Sequence, residues 1–228
     1  MDIRPAMDTE LPDWLPALLQ LASPALPTGA FSYSQGLETA CDAGLVHDES
    51  SALAWIDTQW RQAFAVRELP AVVGACRAVA ARDAQALQAT DRAFVASRDS
   101  AEARAETRQV GAALLRWLTT LYPGGAEASL AAACGHRLAA PAGYALCCAA
   151  QGLPERAAVF GWGFAWLENQ VQAAVKLVPL GQTAGQRMQI ALRPRLADPL
   201  PDEGWSFAPV ASIMAMRHER QYTRLFRS

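Results

Sequence analysis

The chain has 228 residues, of which 52% are hydrophobic and 18% are charged, a composition that excludes intrinsic disorder over most of its length. Its 20 basic and 22 acidic residues give a net charge of −2, so the charge balance provides no strong overall attraction for nucleic acid or for an acidic membrane surface. No stretch has the ~20 apolar residues that span a bilayer. We therefore expect a soluble cytoplasmic protein that binds neither nucleic acid nor membrane.

Helical periodicity dominates the sequence. Apolar residues repeat at helical spacing in three long stretches, of which the first begins near Ser50 or Ser51 and the second near Ser100. Pro123 ends the second stretch, and Pro179 ends the third. Strand signals are almost absent. The pattern predicts an all-α protein, a single globular bundle of roughly eight to ten helices.

Three segments depart from this pattern. Ser23–Phe31 contains two prolines and a glycine and cannot be helical throughout. Residues 194–209 are rich in proline and indicate a linker or a long surface loop. Residues 217–228 carry four arginines that a helix would place on one stripe, where they would repel one another. We therefore divide the chain into an all-α domain over residues 1–208 and a partner-binding tail over residues 209–228, mobile over its last ten or so residues.

Motifs for catalysis or for a resident metal are missing. The sequence has no phosphate-binding loop and no nucleophile elbow, and its three histidines do not pair with one another or with cysteine at metal-ligand spacing. The five cysteines fit small apolar core positions. Gly161 and Gly163 lie inside a helical pattern, which favours a close helix crossing over a dinucleotide turn. We expect no catalytic residue, no metal and no cofactor.

Two polar clusters stand in apolar surroundings. One spans residues 32–38 and the other spans residues 168–172, ahead of Lys176. Buried polar groups need hydrogen-bond partners, so these clusters either bind something or cap helices. The spacing of the residues leaves these two interpretations equally open.

Four blocks, taken in order, resemble the UreF family of urease accessory proteins. They are Leu18–Glu38 (LLQLASPALPTGAFSYSQGLE), Arg104–Leu115 (RAETRQVGAALL), Val175–Gln182 (VKLVPLGQ) and Met216–Ser228 (MRHERQYTRLFRS). The resemblance covers nearly the whole chain.

The resemblance implies an all-α chaperone-like scaffold without catalysis of its own. It also implies that the protein acts as a homodimer, binds UreD (also called UreH) and the GTPase UreG, and supports GTP-dependent nickel insertion into apo-urease. By position in the family motifs, the residues expected to bind partners are Tyr33, Ser34, Gln35, Glu38, Lys176, Gln182, Arg217, His218, Glu219, Tyr222, Arg224, Leu225 and Phe226.

Two other functions compete with this one. A small all-α enzyme would use Glu38 and Glu168 as acid and base within a buried polar cluster. A helical nucleic-acid regulator would use the arginines of the tail on phosphates, although the near-neutral charge weighs against it.

Overall fold

The computed structural model describes residues 11–200 and 206–228, and within those ranges it contains helices and no strand. The predicted all-α class is therefore confirmed. The α-helices are α1 (Leu15–Ala22), α2 (Leu37–Asp42), α3 (Glu49–Gln59), α4 (Leu69–Ala80), α5 (Ala84–Ala96), α6 (Ala101–Leu121), α7 (Ala126–Ala133), α8 (Ala140–Ala150), α9 (Glu155–Leu177), α10 (Gln182–Leu192) and α11 (Pro209–His218). Short 3-10 helices lie at Ala30–Ser32 and Arg193–Ala197.

A π-helix (Trp60–Glu68) joins α3 to α4 without a break, so residues 49–80 form one rod. If residues 49–80 are counted as one helix, the described ranges contain ten separate α-helices, which agrees with the predicted eight to ten. The N-cap residue of this helix lies two or three residues before the predicted Ser50 or Ser51. Asp48 is the N-cap residue, and its carboxylate accepts a hydrogen bond from the Ser51 amide at 2.8 Å.

The first hydrophobic core surrounds α8, which packs between α4 and α6. Residues 140–148 of α8 are all buried, because neighbours cover this helix on every side. At the crossing with α6, a Cβ atom on Gly111 would lie 2.2 Å from the Leu138 carbonyl oxygen. Only glycine lets the two backbones approach this closely.

The second core forms around α9, α3 and the π-helix. A Cβ atom on Gly161 would lie 2.6 Å from the Leu18 Cδ1 atom, and one on Gly163 would lie 2.9 Å from the Trp60 ring. The prediction that these glycines mark a close helix crossing is therefore confirmed. Trp162 and Val159 pack against both cores, so α9 joins the two halves of the molecule.

The cysteines are all free, and they are buried or half-buried as predicted. Burial raises the pKa of the Cys76 and Cys147 thiols to about 12, which keeps them protonated and unreactive at neutral pH. No helix in the described part of the chain combines the length and the apolar character that crossing a bilayer requires.

Candidate functional site

The C-terminal segment folds back onto the body of the protein. Helix α11 ends at His218, and residues 219–228 run without helical structure over α2 and the start of α6. The Ser228 carbonyl accepts hydrogen bonds from the Ser34 amide at 2.6 Å and from the Gln35 amide at 3.0 Å. Phe226 is buried in the second core. The prediction of a mobile tail is therefore wrong, because backbone hydrogen bonds and a buried aromatic ring hold these residues.

Glu38 is the centre of this docking. Its two carboxylate oxygens accept the Leu225 amide at 2.6 Å and the Phe226 amide at 2.9 Å. The same carboxylate lies 3.2 Å from Nε2 of His218, which is fully buried. Nδ1 of His218 lies 2.7 Å from the carboxylate of Glu102 at the start of α6. Glu38 and His218, both expected to bind partners, are therefore buried and anchor the C-terminal segment.

Contacts beyond the cluster of Glu38, His218 and Glu102 also hold residues 219–228 against the body of the protein. The Arg224 guanidinium donates to Glu102 at 2.5 Å. The Gln221 side chain accepts from the Thr39 hydroxyl at 3.0 Å and donates to Asp42 at 2.6 Å. The four arginines of residues 217–228 do not form the helical stripe that their spacing allows, because the helix stops at His218.

Two apolar residues of the segment are exposed, and the exposed residues around them in the chain are polar or charged. Tyr222 is fully exposed and Leu225 is 66% exposed, although the backbone beside them is anchored. On α11, the helix that leads into the segment, the side chains of Val210, Ile213 and Met216 are also exposed. We refer to these five exposed residues together as the outer apolar face.

The structure brings most of the predicted partner-binding residues together, but it buries some of them. Tyr33, Ser34, Glu38, His218 and Phe226 are buried, Gln35 is half-buried, and Lys176, Gln182, Arg217, Glu219, Tyr222, Arg224 and Leu225 are exposed. The Lys176 ammonium lies 5.9 Å from the centre of the Phe226 ring, so the end of α9 meets the C-terminal segment. Gln182, the first residue of α10, shares no hydrogen bond with the other predicted residues in the described ranges.

Two cavities are lined in part by the predicted partner-binding residues, with Gln35 in both. The larger, of about 480 Å³, lies between the loop after α1, α6 and α9, with Tyr144 and Trp162 among its aromatic walls. The smaller, of about 60 Å³, lies between the π-helix, α6 and α11. Gln35, Glu106 and Trp166 line both cavities.

The Gln35 side chain links the Trp166 indole to the Glu106 carboxyl group. Its side chain accepts the Trp166 indole N–H at 2.7 Å and donates to Glu106 at 2.7 Å. Burial raises the pKa of Glu106 to about 7, although hydrogen bonds from Gln35 and Ser228 act in the opposite direction. Burial also raises the pKa of Glu168 in the larger cavity.

The pair proposed for an enzyme does not share a cavity. Glu168 lines the larger cavity, whereas Glu38 lines neither of these two cavities and is engaged by the C-terminal segment. The described residues contain no cluster of three or more His, Cys, Asp or Glu that could hold a metal ion.

Sequence reasoning missed the residues that face these motifs from other helices. They include Glu68 at the end of the π-helix, Arg98 before α6, and Glu102 and Glu106 on α6. The spacing of Glu102 and Glu106, four apart on one helical face, was the available signal. Nothing in the sequence showed which residues they meet.

Comparison with known proteins gives a consistent result. Residues 46–193 match the model of the UreF family. The bifunctional urease accessory protein UreEF of Bordetella bronchiseptica is 45% identical over 224 residues, a match that covers 94% of this chain and 52% of the relative. The chain thus spans about half the length of this relative.

Proposed function

Since the chain belongs to the UreF family of urease accessory proteins, we propose that it acts in urease maturation as a scaffold without catalysis of its own. In this proposal the protein binds UreD and the GTPase UreG, and the assembly docks on apo-urease for GTP-dependent nickel insertion. Nickel is cargo here and not a resident cofactor.

The outer apolar face is the observation that carries the proposal. Aromatic and aliphatic side chains that stay exposed on an anchored backbone lose little conformational freedom when a partner covers them. Tyrosine and arginine are frequent hot spots of protein interfaces, and Tyr222 lies in the same segment as the exposed side chains of Arg217 and Arg224. We assign this face to UreD.

The inward-facing residues have a supporting role in this proposal. Ser34, Glu38, His218 and Phe226 are buried, so they shape the binding surface instead of touching the partner. Lys176 is exposed beside Phe226, at the edge of the same surface. We assign Lys176 and Gln182 to UreG, whose site then neighbours that of UreD.

A homodimer would also need a contact surface that is separate from the face assigned to UreD. Phe160 and Phe164 lie one turn apart on α9, and their side chains are 44% and 39% exposed. We propose this strip as the contact between two copies. Sedimentation should show a dimer for the wild type and a monomer for Phe160→Ser/Phe164→Ser; a variant that stays dimeric excludes the strip.

Capture of UreD tests the proposal. We expect the double variant Tyr222→Ser/Leu225→Ser to fold normally by circular dichroism and to lose UreD in a pull-down, because both side chains are exposed. Leu121→Ser is the matched control, since Leu121 is 54% exposed at the opposite end of α6 from Glu102. Full retention of UreD by the double variant would contradict the assignment.

A further inference from the structure

His218 lies between two carboxylates inside the molecule. Its ring is fully buried at the point where α11 ends and the C-terminal segment begins. Nδ1 lies 2.7 Å from Oε2 of Glu102, and Nε2 lies 3.2 Å from Oε2 of Glu38. Both are hydrogen-bond distances, so each ring nitrogen faces a carboxylate oxygen and each of the two contacts needs a proton.

The other contacts of the two carboxylates indicate where these protons lie. The Glu38 carboxylate accepts the amides of Leu225 and Phe226. The Glu102 carboxylate accepts the guanidinium of Arg224. Ionised carboxylates supply the lone pairs for these donors, and they have no proton to give to the ring. Both nitrogens of His218 must therefore donate, which makes the docked ring an imidazolium.

The charges around the ring balance when it carries both protons. Glu38 reaches the ring from α2 and Glu102 reaches it from α6. Arg224, from the C-terminal segment, meets the other oxygen of Glu102. Two carboxylates, one guanidinium and one imidazolium have no net charge. Loss of a ring proton would leave a negative cluster and would set a nitrogen lone pair against a carboxylate oxygen in a buried place, which is unfavourable.

Other charged groups near α11 and the C-terminal segment face other atoms. Lys176 of α9 lies beside the Phe226 ring. Four further carboxylates accept hydrogen bonds elsewhere: Asp42 from Gln221, Asp99 from Ser212, Glu106 from Ser228 and Glu219 from the Ala101 amide. The protons of the His218 ring therefore depend on Glu38 and Glu102.

We propose that His218, Glu38 and Glu102 form a proton-dependent latch that holds the C-terminal segment. The docked segment contains an imidazolium, whereas release into water leaves an ordinary imidazole, which is largely neutral at alkaline pH. Docking therefore takes up a proton and weakens as the pH rises. The latch is a property of this chain alone. Its consequence for a partner rests on the proposed function: release of Tyr222 and Leu225 at alkaline pH would weaken the capture of UreD.

Nitrogen NMR of the purified full-length chain tests the protonation of the ring. The chemical shifts of the two ¹⁵N-labelled ring nitrogens distinguish an imidazolium from either neutral tautomer. We expect both nitrogens of His218 to carry protons at pH 7.5, with the exposed rings of His47 and His136 as internal references. A neutral His218 ring at this pH would overturn the proposal, whatever the chain binds.

Hydrogen exchange of the same chain measures the docking. The exchange rates of the Leu225 and Phe226 amides are divided by the intrinsic rate at each pH to give their protection. We expect this protection to fall at least about tenfold between pH 7.5 and pH 9, while that of α8 stays constant. Since the pKa of Glu106 is about 7, its carboxyl group is already ionised over most of this range. Constant protection of the two amides would contradict the latch.

A single substitution should remove the proton dependence and keep the docking. Glu102→Gln retains an oxygen for Arg224 and presents an amide N–H to Nδ1, so a neutral ring with its proton on Nε2 satisfies both neighbours. We expect the segment of this variant to stay docked, with equal protection at pH 7.5 and pH 9. A released segment in Glu102→Gln, or an unchanged pH dependence, would refute the latch.

Two neighbouring carboxylates provide matched controls. Glu219 contacts the start of α6 through the Ala101 amide, and Glu106 contacts Ser228, but neither is bonded to the His218 ring. Glu219→Gln and Glu106→Gln should both keep the pH dependence of the wild type above pH 7.5. Loss of that dependence in either control would assign the proton to a group other than His218.

Discussion

At the scale of single residues, Glu38 shows how far the sequence could be interpreted. Its position in an apolar stretch indicated that it needs hydrogen-bond partners. The sequence could not identify those partners, because His218, Leu225 and Phe226 lie about 180 residues away. The choice between surface contact and buried anchor depends on that long-range pairing.

The energetic role of Glu38 can be measured directly. Glu38→Ala would leave the partly buried Leu225 amide and the buried Phe226 amide without their acceptor and would remove one partner of the buried His218 ring. Each buried donor left unsatisfied costs ~1–3 kcal/mol. We expect urea denaturation to show a loss of about 2 kcal/mol or more, with faster amide exchange at Leu225 and Phe226. Lys176→Ala, an exposed substitution, should stay within about 0.5 kcal/mol. Equal stabilities of the two variants would contradict the anchoring role.

Glu106 should make stability depend on pH. Its pKa is raised from an ordinary value of 4.5 to about 7 in the folded protein, so between these values the folded state holds more protons than the unfolded state. The free energy of unfolding therefore falls as the pH rises from 4.5 to 7, by up to about 3 kcal/mol from this group. The difference between the wild type and Glu106→Gln, measured by urea denaturation across that range, isolates the contribution. A difference that does not vary with pH would show that Glu106 titrates normally.

At the scale of elements, periodicity predicted the long helices well, because each buries one apolar face. Ser100 and Pro123 marked the limits of α6 through capping and chain geometry. The π-helix (Trp60–Glu68) was not predictable, because its apolar spacing resembles that of an α-helix and tertiary packing decides the difference. The prediction that the C-terminal segment is mobile failed for a related reason: its stabilising contacts are tertiary and come from α2 and α6.

The crossing of α6 and α8 depends on Gly111. A Cβ atom there would meet the backbone of Leu138 and Ala139, which cannot rotate away. We expect Gly111→Ala to cost at least about 2 kcal/mol in thermal or urea denaturation, despite the higher helix propensity of alanine.

Gly74→Ala provides the comparison for this crossing. A Cβ atom on Gly74 would lie 3.2 Å from the Thr90 side chain, a looser contact than the 2.2 Å to backbone at Gly111, so a smaller effect is expected. A Gly111→Ala variant as stable as Gly74→Ala would show that the crossing can relax.

At the scale of the whole molecule, three sequence-distant motifs meet at one surface. The segment around Ser34 and Glu38 binds the C-terminal residues, and Lys176 at the end of α9 lies beside Phe226. Resemblance to a family identified these motifs, but only the fold shows that they lie next to one another. The division into a domain over residues 1–208 and a tail over residues 209–228 stays a prediction, although Phe226 packs in the second core.

Nickel loading of urease in cells tests the central claim most directly. The native gene for this protein is replaced by Tyr222→Ser/Leu225→Ser or by the control Leu121→Ser, and the nickel content and activity of purified urease are measured per mole of enzyme. We predict that the double variant lowers both at least about tenfold, as the loss of two interface hot spots implies, while the control matches the wild type. Fully loaded, active urease from cells carrying the double variant would contradict the account.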